Sequence, residues 1–202
     1  MYFDPGFLIY KYIKQNLFLI AISILLIQIS SISNNHVVLG LFFFDDQNKP
    51  IMLTYENNDL KFKINYPNSW ERSSGINNET TFIAPKESDS PSSPAGLVVK
   101  VMSLKSKNVS VGSITNALIS QLKKEHKDFK LESSSQFTID NKQGKQIVFT
   151  ATDNNLQNRK ALQLIATNNN NIFIITYKAS IDKYSKYENT IKDMISSFKF
   201  LP

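Results

Sequence analysis

One long stretch of this chain carries no formal charge. Residues 15 to 44 contain no Asp, Glu, Lys or Arg, whereas charged residues recur throughout the rest of the sequence. A helix rises about 1.5 Å per residue and the hydrocarbon core of a bilayer is about 30 Å thick, so roughly 20 apolar residues cross it. Residues 17–39, which begin LFLIAISILLIQISSIS, meet that length. The sequence therefore predicts one transmembrane helix at residues 17–39.

Charges on either side of this helix predict its orientation. Lys11 and Lys14 precede it, and Asp45 and Asp46 follow it as a polar flank. Basic residues next to a membrane-spanning helix favour the cytoplasmic side. We therefore expect a single-pass membrane protein with residues 1–16 in the cytoplasm and the body of the chain outside.

A cleaved signal peptide is the alternative interpretation of this segment. Ser31 and Ser33 are small residues of the kind that precede a cleavage site. The apolar run is nevertheless long for a signal peptide, and the usual Ala-x-Ala pattern is missing. A lipid-modified cysteine is excluded because the chain contains no cysteine. We favour the uncleaved anchor.

Composition limits what the body of the chain can be. Residues 40–50 are predicted to be a linker, and residues 51–202 are long enough to form one domain with its own core. The absence of cysteine excludes disulfides, thiol chemistry and cysteine-ligated zinc sites. The net charge of +6 comes from scattered lysines, and no aromatic and basic platform for single-stranded nucleic acid is present. Nucleic acid is therefore not an expected partner.

Most of the body has the periodicity of β-strands. Residues 60–66 alternate apolar and polar side chains, and the turn Asn57-Asn58-Asp59 joins them to a strand at residues 51–56. Residues 172–177 are apolar on both faces, which is typical of a central strand in a sheet that is covered on both sides. This central strand is predicted at residues 172–178. Further strands are predicted at residues 80–84, 97–104, 129–139, 146–152 and 160–167.

Two segments have helical periodicity instead. In residues 110–127 the apolar side chains Ile114, Leu118 and Leu122 recur at helical spacing. In residues 181–198 one apolar stripe runs along the predicted helix. Its members are Tyr184, Tyr187, Ile191, Met194, Ile195 and Phe198. Hairpin-linked strands with two covering helices predict an α+β domain with a mainly antiparallel sheet between helices.

Three segments together resemble a known family. They are LKFKINYPNSWE at residues 60–71, NIFIITYKAS at residues 171–180 and DKYSKYENTIKDMISSFKF at residues 182–200. Their order resembles the PsbP-like family, including its membrane-anchored prokaryotic and archaeal members. The resemblance implies an antiparallel sheet sandwiched between helices. The residues that carry it are interpreted as fold residues: Tyr66, Pro67, Trp70, Tyr184 and Phe198.

The resemblance implies little chemistry. Plant members of the family are extrinsic subunits of photosystem II that help to retain calcium and chloride, and a eukaryotic nuclear-transport factor with the same fold binds a GTPase. Within this chain His36 and His126 are far apart in sequence and do not form a recognisable metal site. No Gly-x-Ser-x-Gly motif places a nucleophile. Asn78 and Asn108 each begin a glycosylation sequon.

These observations favour a noncatalytic interaction or assembly module at the outer face of a membrane, without a cofactor and with a protein partner. We expect the proline- and serine-rich loop at residues 85–96, together with nearby strand edges, to contact that partner. The alternative is a protein that binds or retains a small ligand or a calcium-type metal ion. In that case Trp70 would be a ligand-stacking ring, although packing of the hairpin is the favoured role.

Overall fold

The computed structural model describes residues 50–75, 77–86, 93–104, 109–126, 128–153 and 157–202. The predicted anchor at residues 17–39 lies outside these ranges, as do the predicted linker residues before Pro50. Within the described part of the chain, no helix is long and apolar enough to cross a membrane. The anchor and its orientation stay predictions.

Strands dominate the described residues. The strands are β1 (Met52–Asn57), β2 (Phe62–Pro67), β3 (Glu71–Ser74), β4 (Glu79–Ile83), β5 (Gly96–Ser103), β6 (Lys130–Ile139), β7 (Lys142–Thr152), β8 (Asn158–Asn168), β9 (Asn171–Ser180) and β10 (Lys199–Phe200). The helices are α1 (Val111–Glu125) and α2 (Glu188–Ser197), and two 3-10 turns precede α2 at Ile181–Lys183 and Ser185–Tyr187.

The strands form two antiparallel sheets. The larger sheet has the order β3-β4-β5-β9-β8-β7-β6, and the smaller has the order β1-β2-β10. Helix α1 packs on one face of the larger sheet, against β7 and β8. Helix α2 and the small sheet cover the other face. The predicted antiparallel α+β arrangement is confirmed, with one addition: the first hairpin forms its own sheet by pairing with the C-terminal strand.

Strand β9 explains why both faces need a cover. Phe173 and Tyr177 point toward α2 and the small sheet, whereas Ile172 and Ile174 point toward α1. All four side chains are buried. The two-faced apolar pattern in the sequence therefore does correspond to a central strand, hydrogen-bonded to β5 on one side and to β8 on the other.

Local signals define helix α1. The Ser110 hydroxyl accepts a hydrogen bond from the Ser113 amide at 3.0 Å, which caps the start of the helix. Ile114 and Leu118, one turn apart, are buried against the sheet. The helix ends where the His126 amide donates to the Leu122 carbonyl, close to the predicted boundary.

The second helix begins later than its apolar stripe indicates. The stripe predicts a helix from residue 181, but residues 181–187 form the two 3-10 turns and α2 begins at Glu188. The reason is a competing hydrogen bond. The Tyr177 hydroxyl donates to the Tyr184 carbonyl at 2.7 Å, and the Glu188 amide donates instead to the Ser185 carbonyl. A side chain of the sheet therefore occupies the carbonyl that an α-helical bond would need.

A glycine in β7 leaves room for an aromatic ring of the neighbouring strand. Gly144 lies opposite Phe137 of β6. A Cβ atom at this position would meet the Phe137 ring and would lie 2.8 Å from the Ile165 carbonyl oxygen. Backbone cannot move away as a flexible side chain can, so only glycine fits without distortion.

We predict that Gly144→Ala lowers the free energy of unfolding by roughly 1–3 kcal/mol, because it over-packs a closed site. Gly112→Ala is the matched control. Gly112 lies in α1, and the nearest atom to its Cβ would be the Ser110 Oγ at 3.7 Å. That control should raise stability by up to about 1 kcal/mol through helix propensity. Urea unfolding measures the free energy of unfolding of both variants. If the two substitutions changed it in the same direction, the requirement for glycine at position 144 would be contradicted.

Candidate functional site

A cleft of about 360 Å³ opens where the described residues begin. Three prolines, Pro50, Pro67 and Pro85, form much of its apolar wall. These residues come from the segment before β1, the end of β2 and the segment after β4. The cleft therefore lies at one end of the domain, where the first hairpin meets the larger sheet.

A tight turn after β2 places Trp70 in this cleft. The Asn68 amide donates to the Ile51 carbonyl at 2.8 Å, and the Trp70 amide donates to the Pro67 carbonyl at 2.9 Å. These bonds turn the Trp70 side chain inward, where it is only 6% exposed. Its ring lies edge-on to Tyr187, with 5.7 Å between the ring centroids. The two rings form the inner part of the cleft.

Two lysines give the cleft a positive rim. Lys86 follows β4 and is exposed, and Lys186 lies in the second 3-10 turn. The Lys186 ammonium is 5.5 Å from the centroid of the Tyr187 ring, within the range of a cation–π contact. The hydroxyl-bearing residues Ser69 and Thr190 complete the lining. The site thus combines apolar walls, hydrogen-bond donors and positive charge.

The Tyr177–Tyr184 hydrogen bond supports the turn that carries Lys186 and Tyr187. Burial raises the pKa of Tyr177 above its ordinary value, and the neighbouring Tyr184 adds to this effect. Burial, together with the charge of Glu188, raises the pKa of Tyr184 to about 12. Both hydroxyls therefore keep their protons at neutral pH, and Tyr177 remains a hydrogen-bond donor.

We predict that the domain loses stability above pH ~10, where tyrosines of the unfolded chain ionise. Folding raises the pKa values of Tyr177 and Tyr184. The stability that the two protonated hydroxyls contribute is therefore fully present below the pKa of the unfolded chain, and it is lost as the pH rises through the pKa values of the folded state. Tyr177→Phe should cost about 1 kcal/mol at neutral pH and reduce the alkaline loss.

Urea unfolding at neutral and at alkaline pH tests this prediction. Tyr66→Phe is the control, since its ring packs on Phe82, with centroids 4.9 Å apart, away from the 3-10 turns. If the Tyr177 and Tyr66 variants showed the same free energy of unfolding at both pH values, Tyr177 would not support the 3-10 turns.

Of the predicted fold residues, Pro67 and Trp70 line the cleft, whereas Tyr66, Tyr184 and Phe198 pack in or against the core. The Phe198 ring stacks on Phe62 of β2 at 5.6 Å and so joins the end of α2 to the small sheet. Tyr184 packs on Tyr177 with centroids 4.8 Å apart. The sequence prediction named Trp70 and covered Lys86 only as part of the contact loop at residues 85–96. It did not name Lys186, which lies a hundred positions from Lys86 and carries no local signal.

The histidine and sequon positions are separate from the cleft. His126 Nδ1 lies 2.9 Å from the Thr152 carbonyl oxygen at the end of α1. The Thr152 hydroxyl and amide bond the Asp128 carboxylate, which holds the pKa of Asp128 below its usual range. Among the residues that the structure describes, no group of three or more His, Asp or Glu side chains is placed to hold a metal ion.

The first sequon begins at an exposed left-handed position. Asn78 has a φ of 56°, and its carbonyl accepts from the Val101 amide at 3.0 Å. Thr80, the third residue of the sequon, is fully buried. His36, Asp45, Asp46 and Asn108 lie outside the described residues. Glycosylation at Asn78 and Asn108 stays a prediction.

The expected contact loop is described only at its two ends. Pro85 and Lys86 line the cleft, and the other end is held by a buried arginine. The guanidinium of Arg159 donates to the carbonyls of Ser93 and Pro94 at 2.9 and 3.1 Å. Residues 87–92 lie outside the description, so a contact through this loop stays a prediction.

An open strand edge lies on the opposite side of the domain. β6 ends the larger sheet, and among the described residues it pairs with β7 alone. Residues 130–136 are all exposed, and the strand contains no proline. Five strand spacings separate β6 from β4, which carries the cleft residues Pro85 and Lys86 at its end, so the two sites are roughly 24 Å apart.

The described residues form a layered antiparallel domain with two candidate contact surfaces. Residues 42–200 match the family described as PsbP-like protein. The chain belongs to the PsbP-like family, as its end motifs indicate. No curated protein sequence matches it.

Solved structures show the same fold at low sequence identity. The cyanobacterial PsbP of Synechocystis sp. PCC 6803 has a TM-score of 0.58 at 14% identity, over 80% of this chain and 98% of that one. LpqN of Mycobacterium tuberculosis, described as involved in cell envelope biogenesis, has a TM-score of 0.56 at 14% identity, over 78% and 94%. The Saccharomyces cerevisiae Ran-binding protein Mog1p has a TM-score of 0.54 at 5% identity, over 76% and 97%.

Proposed function

We propose that this chain is a noncatalytic, membrane-anchored module that binds a protein partner on the outer side of a membrane. The observation that carries the proposal is the open edge of β6. A sheet edge offers a row of backbone N–H and C=O groups that a strand of another protein can pair with. Ten residues, Lys130–Ile139, form this edge, and most of their side chains are exposed.

The position of this edge suits a tethered protein. The described residues begin at Pro50, in the wall of the cleft, and the predicted anchor precedes them. The β6 edge lies five strands across the larger sheet from β4, whose end carries the cleft residues Pro85 and Lys86. A partner bound there would be held away from the site where the chain leaves the membrane, so the tether and the partner would not compete for space.

Two features of the relatives support an interaction role. One structural neighbour is described as a Ran-binding protein, and another is described as involved in cell envelope biogenesis. The first is named for binding a protein, and the second for a part in making the cell envelope. A module that binds a protein partner at a membrane surface is compatible with both.

A second candidate function rests on the cleft. Its volume of about 360 Å³ lies at the lower end of the range of small-ligand pockets, and it has convergent polar groups among apolar walls. This favours a small-ligand protein as the runner-up. For binding of a calcium-type metal ion, the described residues offer no cluster of carboxylates as support.

Native mass spectrometry of the full-length chain, gently extracted from its own membrane, tests the leading proposal. We expect a stoichiometric protein partner. Ser134→Pro and Ser135→Pro provide the structural test, because adjacent residues of an edge strand point their N–H groups to opposite sides. One proline removes a bond to β7 and lowers the melting temperature, whereas the other removes only an outward N–H.

The informative variant is the one that keeps the wild-type melting temperature. It should lose the partner by roughly tenfold or more in affinity, since proline blocks one bond and crowds the added strand. Gln143→Ala, an exposed change at the other end of the β6–β7 hairpin, is the control and should keep the partner. Retention of the partner by both proline variants would overturn the edge assignment, and a chain with no partner would overturn the proposed function.

A further inference from the structure

We propose that the Trp70 cleft binds the headgroup of an anionic phospholipid and thereby orients the domain on its membrane. The inference rests on the membrane anchor of the proposed function. It concerns a different surface from the β6 edge and a different ligand. Its basis is the place of the cleft along the chain, its charge and the chemistry of its lining.

The covalent chain keeps this cleft close to the predicted anchor. Pro50 is part of the cleft wall. The predicted anchor ends at residue 39, eleven residues earlier, and an extended chain spans at most about 3.3–3.6 Å per residue. The cleft therefore lies within roughly 40 Å of the end of the predicted anchor. No other described part of the domain is tied so closely to the membrane-seeking segment.

Exposed apolar side chains lie next to the same point. Ile51 is 69% exposed and Leu53 is 43% exposed, at the start of β1. Both are among the few large apolar residues in the described chain with so much exposed surface. Apolar side chains beside a basic rim are the combination that binds the headgroup and upper acyl region of a bilayer.

The polar groups of the cleft match a phosphodiester. Lys86 and Lys186 supply positive charge, and Ser69 and Thr190 supply hydroxyl donors. Thr190 lies in the first turn of α2, whose amino-terminal end lacks a side-chain cap and favours an anion. Glu188 in the same turn is paired with Lys192 at 3.2 Å, which offsets its negative charge.

The apolar part of the cleft fits the rest of a headgroup. The proline rings and the edges of Trp70 and Tyr187 offer a surface for glycerol and the first methylene groups. The volume of about 360 Å³ accommodates such a group, whereas the acyl chains would stay in the bilayer. A lipid headgroup therefore uses both the charged rim and the apolar wall, which inorganic phosphate would not.

Trp70 makes the experiment specific, because it is the only tryptophan in the chain. The full-length protein is reconstituted into vesicles of phosphatidylcholine, or of phosphatidylcholine with phosphatidylglycerol, each doped with a headgroup spin-labelled lipid. Quenching of tryptophan fluorescence then reports contact between the cleft and the headgroups. We expect quenching to rise steeply with the phosphatidylglycerol fraction and to stay low without it.

Charge-matched variants separate the cleft from general attraction. Each lysine near an anionic surface strengthens binding by roughly fivefold, so the double variant Lys86→Gln with Lys186→Gln should weaken binding of the cleft to the headgroups by roughly 25-fold. Lys123→Gln with Lys124→Gln is the control. It removes the same charge from exposed positions in the last turn of α1, on the opposite face of the larger sheet. The control should leave quenching unchanged.

Each outcome has a defined meaning. Equal quenching in the two lipid mixtures, or an equal effect of the two double variants, would overturn the headgroup assignment. An equally strong fluorescence change with inorganic phosphate in detergent would show a free-anion site and would also overturn it. Flotation of the chain with phosphatidylcholine vesicles tests the anchor separately, so a failed headgroup site is distinguishable from a failed proposed function.

Discussion

The two-faced burial of β9 is the constraint on which the rest of the structure depends. A strand with Phe173 and Tyr177 on one side and Ile172 and Ile174 on the other is unstable unless both faces are covered. Helix α1 supplies one cover, and α2 with the small sheet supplies the other. Tyr177 has a further role, because its hydroxyl bonds the Tyr184 carbonyl, delays the start of α2 to Glu188 and so sets where Tyr187 and Lys186 lie. The core and the cleft are thus determined by the same strand.

Much of this fold could be predicted because its signals are local. Period-two alternation in β2 and the capped apolar face of α1 place those elements close to their observed bounds. β3 could not be found, since its four residues Glu71–Ser74 are all exposed and show no alternation. The small sheet and the start of α2 were missed for a different reason. Each depends on a partner far away in sequence, and periodicity carries no information about such a partner.

The candidate sites show the same division between local and distant information. Trp70 could be named from the sequence because it lies in the motif at residues 60–71, but the two lysines of the cleft come from separate parts of the chain. The open edge of β6 is visible only once the strand order is known. In the two proposals, the cleft near the start of the domain contacts the membrane, and the β6 edge on the other side of the sheet binds a protein partner.

The pairing of β2 with β10 has a consequence for how the domain is made. Phe62 lies beside Phe200, and the Leu201 amide donates to the Lys61 carbonyl at 2.9 Å, so nearly the first and the last described residues meet in one sheet. Contacts between distant parts of a chain form late, because the loop between them must close first. During synthesis the first hairpin must therefore wait for the C-terminus to emerge. A chain that crosses a membrane on its way out would do so before this sheet exists, and would acquire its native core only after translocation is complete.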